Sequence, residues 1–82
     1  MKPTRYQADI LRMLRDTPGA YMTEGFFGQS APRIHLPDGP LHLSRRTFDA
    51  IRTHRWIHRV GSEWSGQYGI SIAGRAALEG AA

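Results

Sequence analysis

The stretch LSRRTFDAIRTHRWIHR, residues 43–59, carries the strongest structural and chemical signal in this chain of 82 residues. It holds five arginines and two histidines against one acid, Asp49. The six other Lys and Arg residues are balanced by the six other Asp and Glu residues, so the whole net charge of +4 originates here. A local excess of positive charge indicates a polyanionic partner, most often nucleic acid. The alternative is a solvated helix face that keeps a small protein soluble.

The same stretch predicts a helix over about residues 44–55. Ser44 is a favourable N-cap, and Leu43 before it can pack against Phe48 as a hydrophobic staple. Phe48 and Ile51 recur at the spacing of one helix face, which we expect to be buried. Two apolar side chains would therefore hold this helix to the core.

Helical spacing gathers the polar side chains opposite that buried face. The predicted outer face comprises Arg45, Asp49 and Arg52, with Arg46 and Thr53 beside them. The arginines are therefore expected at the surface, where a partner could reach them.

Two further helices are predicted near the ends of the chain. The first spans residues 5–16, where Thr4 and Gln7 form a capping box. Its apolar stripe is formed by Tyr6, Ile10, Met13 and Leu14, flanked by Leu11. A last short helix is predicted to begin after Ser71, which would cap it.

A first β-hairpin is predicted over residues 33–43, with turn chemistry in the sequence PDGP at residues 37–40. Four apolar side chains would share one face: Ile34, Leu36, Leu41 and Leu43. His35 and His42 would lie near each other on the other face. The preceding residues 20–32 indicate a loop or a broken strand, in which Phe26 and Phe27 either complete the core or form an exposed contact.

A second β-hairpin is predicted over residues 56–72. Ile57 and Val60 belong to its first strand, a polar tip of six residues follows, and the return strand alternates through Tyr68, Ile70 and Ile72. The expected architecture is therefore α+β, with three short helices and two β-hairpins in a single domain over residues 1–82.

From the arginine-rich helix onward, residues 44–78 resemble the winged helix-turn-helix family. After the recognition helix that family often reads GLI…Y-x-L-T-x-x-G-R-x-A-L, and the matching residues here are Trp56-Ile57, Tyr68, Ile70, Ser71, Gly74, Arg75, Ala77 and Leu78. The resemblance implies a winged-helix-like fold with a recognition helix at about 44–55 and a wing at about 56–72. The chain departs from the family pattern because a hairpin within residues 20–43 replaces the usual second helix.

The order of elements is also similar to that of small bacterial toxin proteins that inhibit topoisomerase I. The shared order is helix, hairpin, helix, strand and wing, with few identical residues. Because one architecture can carry several functions, this likeness leaves the function open.

The winged-helix resemblance implies duplex DNA as the partner, with the recognition helix in the major groove. Arg45 and Arg46, at the N-terminal end of that helix, are the candidates for contact with guanine edges or phosphate. Asp49 would either accept a hydrogen bond from cytosine N4 or hold Arg45 or Arg52 in position. Phosphate contacts are expected from Arg52, Thr53, Arg55 and Arg59, and wing contacts from Ser62, Trp64, Ser65 and Gln67. Trp64 would lie against the DNA or fold back onto its own sheet.

These features predict a small DNA-binding regulator of transcription. A chain of this length buries about 60% of its unfolded surface, so its core is marginal and a homodimer is a natural option. The alternative is a protein-binding inhibitor or adaptor, of toxin or phage type, that uses the same basic face.

Other functional classes find little support in the sequence. The chain has no cysteine, which excludes disulfides and thiolate zinc sites. His54 and His58 have ligand spacing only if one helix includes both, and no catalytic constellation is visible, so we expect no enzyme activity, no cofactor and no metal.

No apolar stretch approaches the length of a membrane span, and the N-terminus lacks the apolar region of a signal peptide, so a cytoplasmic protein is expected.

Overall fold

The structure, a computed structural model, describes residues 2–25, 31–61 and 66–81. These residues form an α+β fold of three helices and five strands. The helices are α1 (Arg5–Asp16), α2 (Arg45–Thr53) and α3 (Ile72–Ala81). The strands are β1 (Tyr21–Thr23), β2 (Arg33–Leu36), β3 (Gly39–His42), β4 (Ile57–Val60) and β5 (Gln67–Ile70).

Both predicted hairpins are confirmed. Strands β2 and β3 pair antiparallel around a tight turn, with Leu36 opposite Gly39. Strands β4 and β5 pair antiparallel with Val60 opposite Gln67, so the tip between them has the expected six residues. Proline, aspartate and glycine at the first turn supply the backbone angles that a tight connection needs.

Strand β1 joins the two hairpins into one antiparallel sheet with the order β3-β2-β1-β5-β4. Met22 at its centre lies opposite Ile34 on one side and opposite Tyr68 on the other. The prediction of a loop or broken strand over residues 20–32 missed this strand, because three residues are too few to show a strand period. Phe26 and Phe27, whose role was left open, lie outside the described residues.

The helices cover one face of this sheet. Residues opposite each other in an antiparallel ladder point to the same face, so the row Ile34–Met22–Tyr68 lies on a single side. All three side chains are buried, together with Phe48 and Ile51 of α2. The Phe48 ring meets the Tyr68 ring edge-on, with 5.5 Å between centroids. This aromatic contact packs α2 against β5.

Helix α1 begins and ends as predicted, but its buried face is rotated. The Thr4 hydroxyl accepts the Gln7 N–H at 3.2 Å, and the Gln7 side chain accepts the Thr4 N–H at 2.9 Å. Ala8 lies on the buried side with Ile10, Leu11 and Leu14. Tyr6, which the predicted apolar stripe includes, is not buried: the buried face turns towards Ala8, and Tyr6 is 50% exposed.

The first hairpin has its predicted faces, but its apolar face is not buried along its whole length. Leu41 lies opposite Ile34 and so shares its face, as predicted, but it belongs to the edge strand β3 and is 46% exposed. His35 lies opposite Pro40 and His42 opposite Arg33, so the two histidines share the other face, as predicted, but are not directly opposite each other.

His35 contacts the neighbouring strand β1 instead. Its ring stacks on Tyr21 with 4.6 Å between centroids, and its Nε2 lies 2.9 Å from the Thr23 hydroxyl. The insertion of β1 beside β2, which the sequence did not reveal, gives this histidine its partners.

Ser71 ties the end of α2 to the start of α3. Its hydroxyl accepts the Gly74 N–H at 3.0 Å, as expected of an N-cap, and donates to the Arg55 carbonyl at 2.6 Å. Its own N–H donates to the Trp56 carbonyl at 2.9 Å. The helix begins directly after this cap, so the prediction that Ile72 continues the strand is wrong; Ile72 is 89% exposed.

Gly74 is required by the same junction. A Cβ at this position would overlap the Trp56 carbonyl oxygen and lie 2.8 Å from Ile70 Cγ1. The Ser-x-x-Gly spacing therefore has a steric explanation: serine caps α3, and glycine allows its first turn to approach the backbone that follows α2.

We expect Gly74→Ala to destabilise the protein by roughly 1–3 kcal/mol, because the added methyl group meets a carbonyl oxygen that cannot move freely. Gly80→Ala in the same helix is the matched control, since nothing lies within 4 Å of its Cβ position. The control should be neutral or stabilising by up to about 1 kcal/mol through helix propensity. Urea unfolding of both variants measures the difference, and equal stabilities would contradict the steric explanation.

Candidate nucleic-acid interface

Helix α2 presents its arginines because its two ends are fixed and one face is anchored. The Ser44 hydroxyl accepts the Thr47 N–H at 3.1 Å, which caps the first turn as predicted. Phe48 and Ile51 are fully buried. The remaining sides of the helix are thereby held at the surface in a defined rotation about its axis.

The helix ends one turn before the tryptophan, through a motif centred on Arg55. The Arg55 N–H donates to the Arg52 carbonyl at 2.9 Å, and the Trp56 N–H donates to the Ile51 carbonyl at 3.2 Å. This is the Schellman pattern, which requires a left-handed residue and normally uses glycine. Arg55 takes that conformation with φ 61°. The predicted range 44–55 is thus confirmed as the helix with its capping residues.

Two of the five arginines are engaged by Glu24, which directly follows β1. Arg52 Nη1 donates to Glu24 Oε1 at 2.9 Å. Arg45 Nη1 lies 3.4 Å from Glu24 Oε2, and Arg45 Nη2 donates to the Glu24 carbonyl at 3.3 Å. One carboxylate therefore bridges two guanidinium groups that are two helical turns apart.

Asp49 lies between the same two arginines on α2. Its Oδ1 is 3.8 Å from Arg45 Nη1 and 3.6 Å from Arg52 Nη2. This is the geometry predicted by the alternative in which Asp49 holds the arginines. Glu24, Arg45, Asp49 and Arg52 together form a neutral group of two cations and two anions, which we call the charge cluster.

Arg52 is the most constrained member of the charge cluster. Its guanidinium carbon lies 5.6 Å from the centroid of the buried Phe48 ring. Burial opposes the charged form, but the carboxylate of Glu24, the hydrogen bond with Tyr68 and the charge of Asp49 together raise the pKa of Arg52 above its ordinary value. The Tyr68 hydroxyl donates to Glu24 Oε1 at 3.4 Å. The charge cluster is thus connected to the core through an aromatic ring and a phenol.

The other three arginines of the stretch are free of such contacts. Within the described ranges 2–25, 31–61 and 66–81, Arg46, Arg55 and Arg59 form no ion pair, and all three are exposed. We call them the free arginines. With the charge cluster neutral, they carry the unbalanced positive charge of residues 43–59.

The outermost side of α2 is not the one predicted. Arg46 and Thr53, seven residues apart and both exposed, lie opposite the direction of Phe48 and Ile51. Arg45 and Arg52 instead lie on the flank of the helix that faces Glu24. The predicted outer face of Arg45, Asp49 and Arg52 is therefore corrected to this flank, where Glu24, which follows a strand that the sequence did not reveal, pairs with both arginines.

The predicted wing residues are described only in part. Gln67 begins β5, is half-buried and lies opposite Val60 at the root of the hairpin tip. Trp64, with Ser62 and Ser65, lies outside the described residues. The orientation of this tryptophan therefore stays a prediction.

Glu24 and Tyr68 are the members of this site that sequence reasoning missed as functional residues. Glu24 is the one acid between Asp16 and Asp38 in the sequence. It also continues the alternation of Ala20 and Met22, which places it on the helix-covered face of the sheet. That alternation becomes a usable signal once residues 21–23 are known to be a strand.

Two of the four histidines, His35 and His54, stack on aromatic rings. His54 stacks on Trp56 with 4.5 Å between centroids, beyond the last residue of α2. Since the helix ends at Thr53, one helix does not include both His54 and His58. Among the residues that the structure describes, no three His, Asp or Glu side chains are grouped closely enough to hold a metal ion.

Comparisons of the chain with protein-family models, with curated proteins and with solved structures gave no match. In the described part of the chain, no helix has both the length and the apolar character needed to cross a membrane.

The left-handed conformation at Arg55 leads to a prediction about stability. Because a side chain costs on the order of 1 kcal/mol in this region and glycine does not, we expect Arg55→Gly to stabilise the fold or leave it unchanged. Arg52→Gly, inside α2, is the opposite control and should destabilise by about 1 kcal/mol or more. Thermal unfolding tests both, and a marked destabilisation by Arg55→Gly would contradict the assigned backbone geometry.

Proposed function

We propose that this protein binds duplex DNA with the exposed side of α2 and the adjoining β4–β5 hairpin. The observation that carries the proposal is the set of free arginines. On the other helices, Arg12 is paired with Asp9 and Arg15 with Asp16, whereas Arg5 and Arg75 form no ion pair within the described ranges. The free arginines differ from these two in being gathered within one short segment, at α2 and β4. Cations left unpaired beside an exposed helix are suited to phosphate groups, whose contacts supply most of the sequence-independent affinity for DNA.

The arrangement of elements supports a winged-helix interpretation of this surface. The helix α2 precedes a two-stranded hairpin, and the return strand β5 pairs with β1 at the centre of the sheet. In the proposed interpretation α2 is the recognition helix, the β4–β5 hairpin is the wing, and the β2–β3 hairpin replaces the usual second helix. The tie between Ser71 and Arg55 fixes the end of α2 relative to the wing.

The DNA contacts proposed from the structure differ from those predicted from the sequence. Helix α2 has nine residues, and an α-helix with its side chains is about 10–12 Å in diameter, which fits the width of the major groove. Arg46 in its first turn is the best candidate for contact with a guanine edge or a nearby phosphate. Thr53 lies on the same side of the helix, two turns further on. Arg55 and Arg59 would contact phosphate. Arg45 and Arg52 would take part only after leaving Glu24.

The proposed biological role is that of a small transcriptional regulator. A helix that reads base edges and a hairpin that contacts the backbone are the two parts that such a protein needs. A homodimer would double the contacted site and so raise affinity without new contacts on each subunit.

A second candidate, a protein-binding inhibitor or adaptor, is favoured by one specific observation. The charge cluster gives α2 a flank of alternating charge, with side chains of Arg45, Asp49 and Arg52 each 45% exposed. Such a flank is complementary to another mixed-charge protein surface, whereas Asp49 and Glu24 repel phosphate. Under this alternative the protein would show one stoichiometric protein partner and no affinity for duplex DNA at low salt.

We expect Arg46→Ala and Arg59→Ala each to weaken binding to a random duplex. Each should reduce the slope of log K against log salt by about 1, because one fewer phosphate is neutralised. Arg12→Ala is the matched control, since it removes the same charge from α1, where the arginine is already paired with Asp9. Fluorescence anisotropy across a salt series measures both quantities.

Equal effects of all three variants would show a response to net charge alone and contradict the assigned surface. Absence of wild-type binding at low salt would reject duplex DNA as the partner and favour the protein-binding alternative.

A further inference from the structure

Glu24 occupies the flank of α2 where its carboxylate meets the guanidinium groups of Arg45 and Arg52. It directly follows β1, and strand alternation puts its carboxylate on the helix-covered face, beside the flank of α2. Its two carboxylate oxygens are divided between two guanidinium groups, Oε1 to Arg52 at 2.9 Å and Oε2 to Arg45 at 3.4 Å. The non-bridging oxygens of a phosphodiester present the same acceptor chemistry to arginine.

The contacts around Glu24 are exposed enough to be exchanged. The side chains of Arg45 and Arg52 are each 45% exposed, and that of Glu24 is 36% exposed. Ion pairs with this much exposure are weak and are screened by salt. Each guanidinium has five N–H donors, so the bonds to Glu24 leave further donors unused. The arginines are therefore neutralised in the free protein without being buried.

The carboxylate also has a fixed position that a flexible surface acid would lack. The Tyr68 hydroxyl donates to Glu24 Oε1 at 3.4 Å, and Tyr68 lies opposite Met22 in the sheet. The Arg45 contact to the Glu24 carbonyl at 3.3 Å adds a second point of attachment. The core of the protein thus holds an anion against the side of its candidate recognition helix.

We propose that Glu24 is a specificity-determining residue that suppresses sequence-independent binding of phosphate by Arg45 and Arg52. The inference rests on the proposed DNA-binding function. The free arginines alone then provide the salt-sensitive attraction to any duplex. Arg45 and Arg52 engage DNA only where the other contacts bring phosphate or a base edge close enough to replace the carboxylate. Glu24 would thereby widen the difference between specific and non-specific binding.

The test uses Glu24→Gln, which keeps the shape and an acceptor oxygen but removes the negative charge. We expect tighter binding to a random 20-base-pair duplex at low salt, by about threefold or more, and a log–log salt slope steeper by about 1 to 2. The gain arises because up to two more phosphates are neutralised. Thermal unfolding checks that the fold is retained, and Glu24→Ala is measured in parallel as a second variant without the charge.

Asp9→Asn is the matched control for net charge. It also releases an arginine, Arg12, from an ion pair, and it raises the charge of the chain by the same one unit, but on α1. The combined variant Glu24→Gln/Arg45→Ala/Arg52→Ala is expected to return the affinity and the slope to about their wild-type values. Comparison of this combined variant with Glu24→Gln alone assigns the gain in affinity to the two arginines that Glu24 holds.

The outcomes separate the two proposals. Wild-type binding with a gain in Glu24→Gln and no gain in Asp9→Asn supports the inference. Wild-type binding that is unchanged or weaker in Glu24→Gln overturns the inference and leaves DNA binding in place, with Glu24 then positioning the arginines. An equal gain in Asp9→Asn, or a gain that persists without Arg45 and Arg52, also overturns it. Absence of binding by wild type and by every variant rejects the DNA-binding function itself.

Discussion

The two hairpins become one sheet only because three residues, Tyr21–Thr23, pair with both of them. Met22 at the centre of this short strand is fully buried. It forms a row with Ile34 and Tyr68, and the Tyr68 ring of this row contacts Phe48 of α2. The strand also delivers Glu24 to the side of α2. The geometry of the core and the electrostatics of the candidate interface therefore depend on the same antiparallel pairing.

Local rules were sufficient for the elements whose signals lie within a few residues of one another. The Thr4 capping box, the Ser44 cap and the hairpin turn each depend on backbone groups that are near in sequence, and all three are present. Strand β1 is too short to have a period, so its existence depends on partners that lie 12 and 46 residues away, as the Met22 pairings show. Strand pairing between residues so far apart in the sequence cannot be derived from the β-propensity of the individual residues.

The same limit applies to the charges. Counting residues 43–59 left five arginines opposed only by Asp49, and Glu24 was counted with the balanced remainder of the chain. In the fold, Glu24 reaches Arg45 across 21 residues and Arg52 across 28. The charge excess of the stretch is real, but it belongs to Arg46, Arg55 and Arg59. The net charge of a sequence segment therefore counts its charged residues, whereas the electrostatic field at the protein surface depends on which ion pairs form after folding.

Pro40 on the edge strand β3 has a consequence for the behaviour of the sheet in concentrated solution. An edge strand normally offers a row of N–H and C=O groups to any extended chain, and this is how native sheets begin to aggregate. Proline has no N–H to offer, so an incoming strand could not complete a ladder along β3. At the opposite edge, β4 exposes Arg59, whose positive charge would repel the same strand of a second molecule. The fold thus protects both open edges against lateral polymerisation.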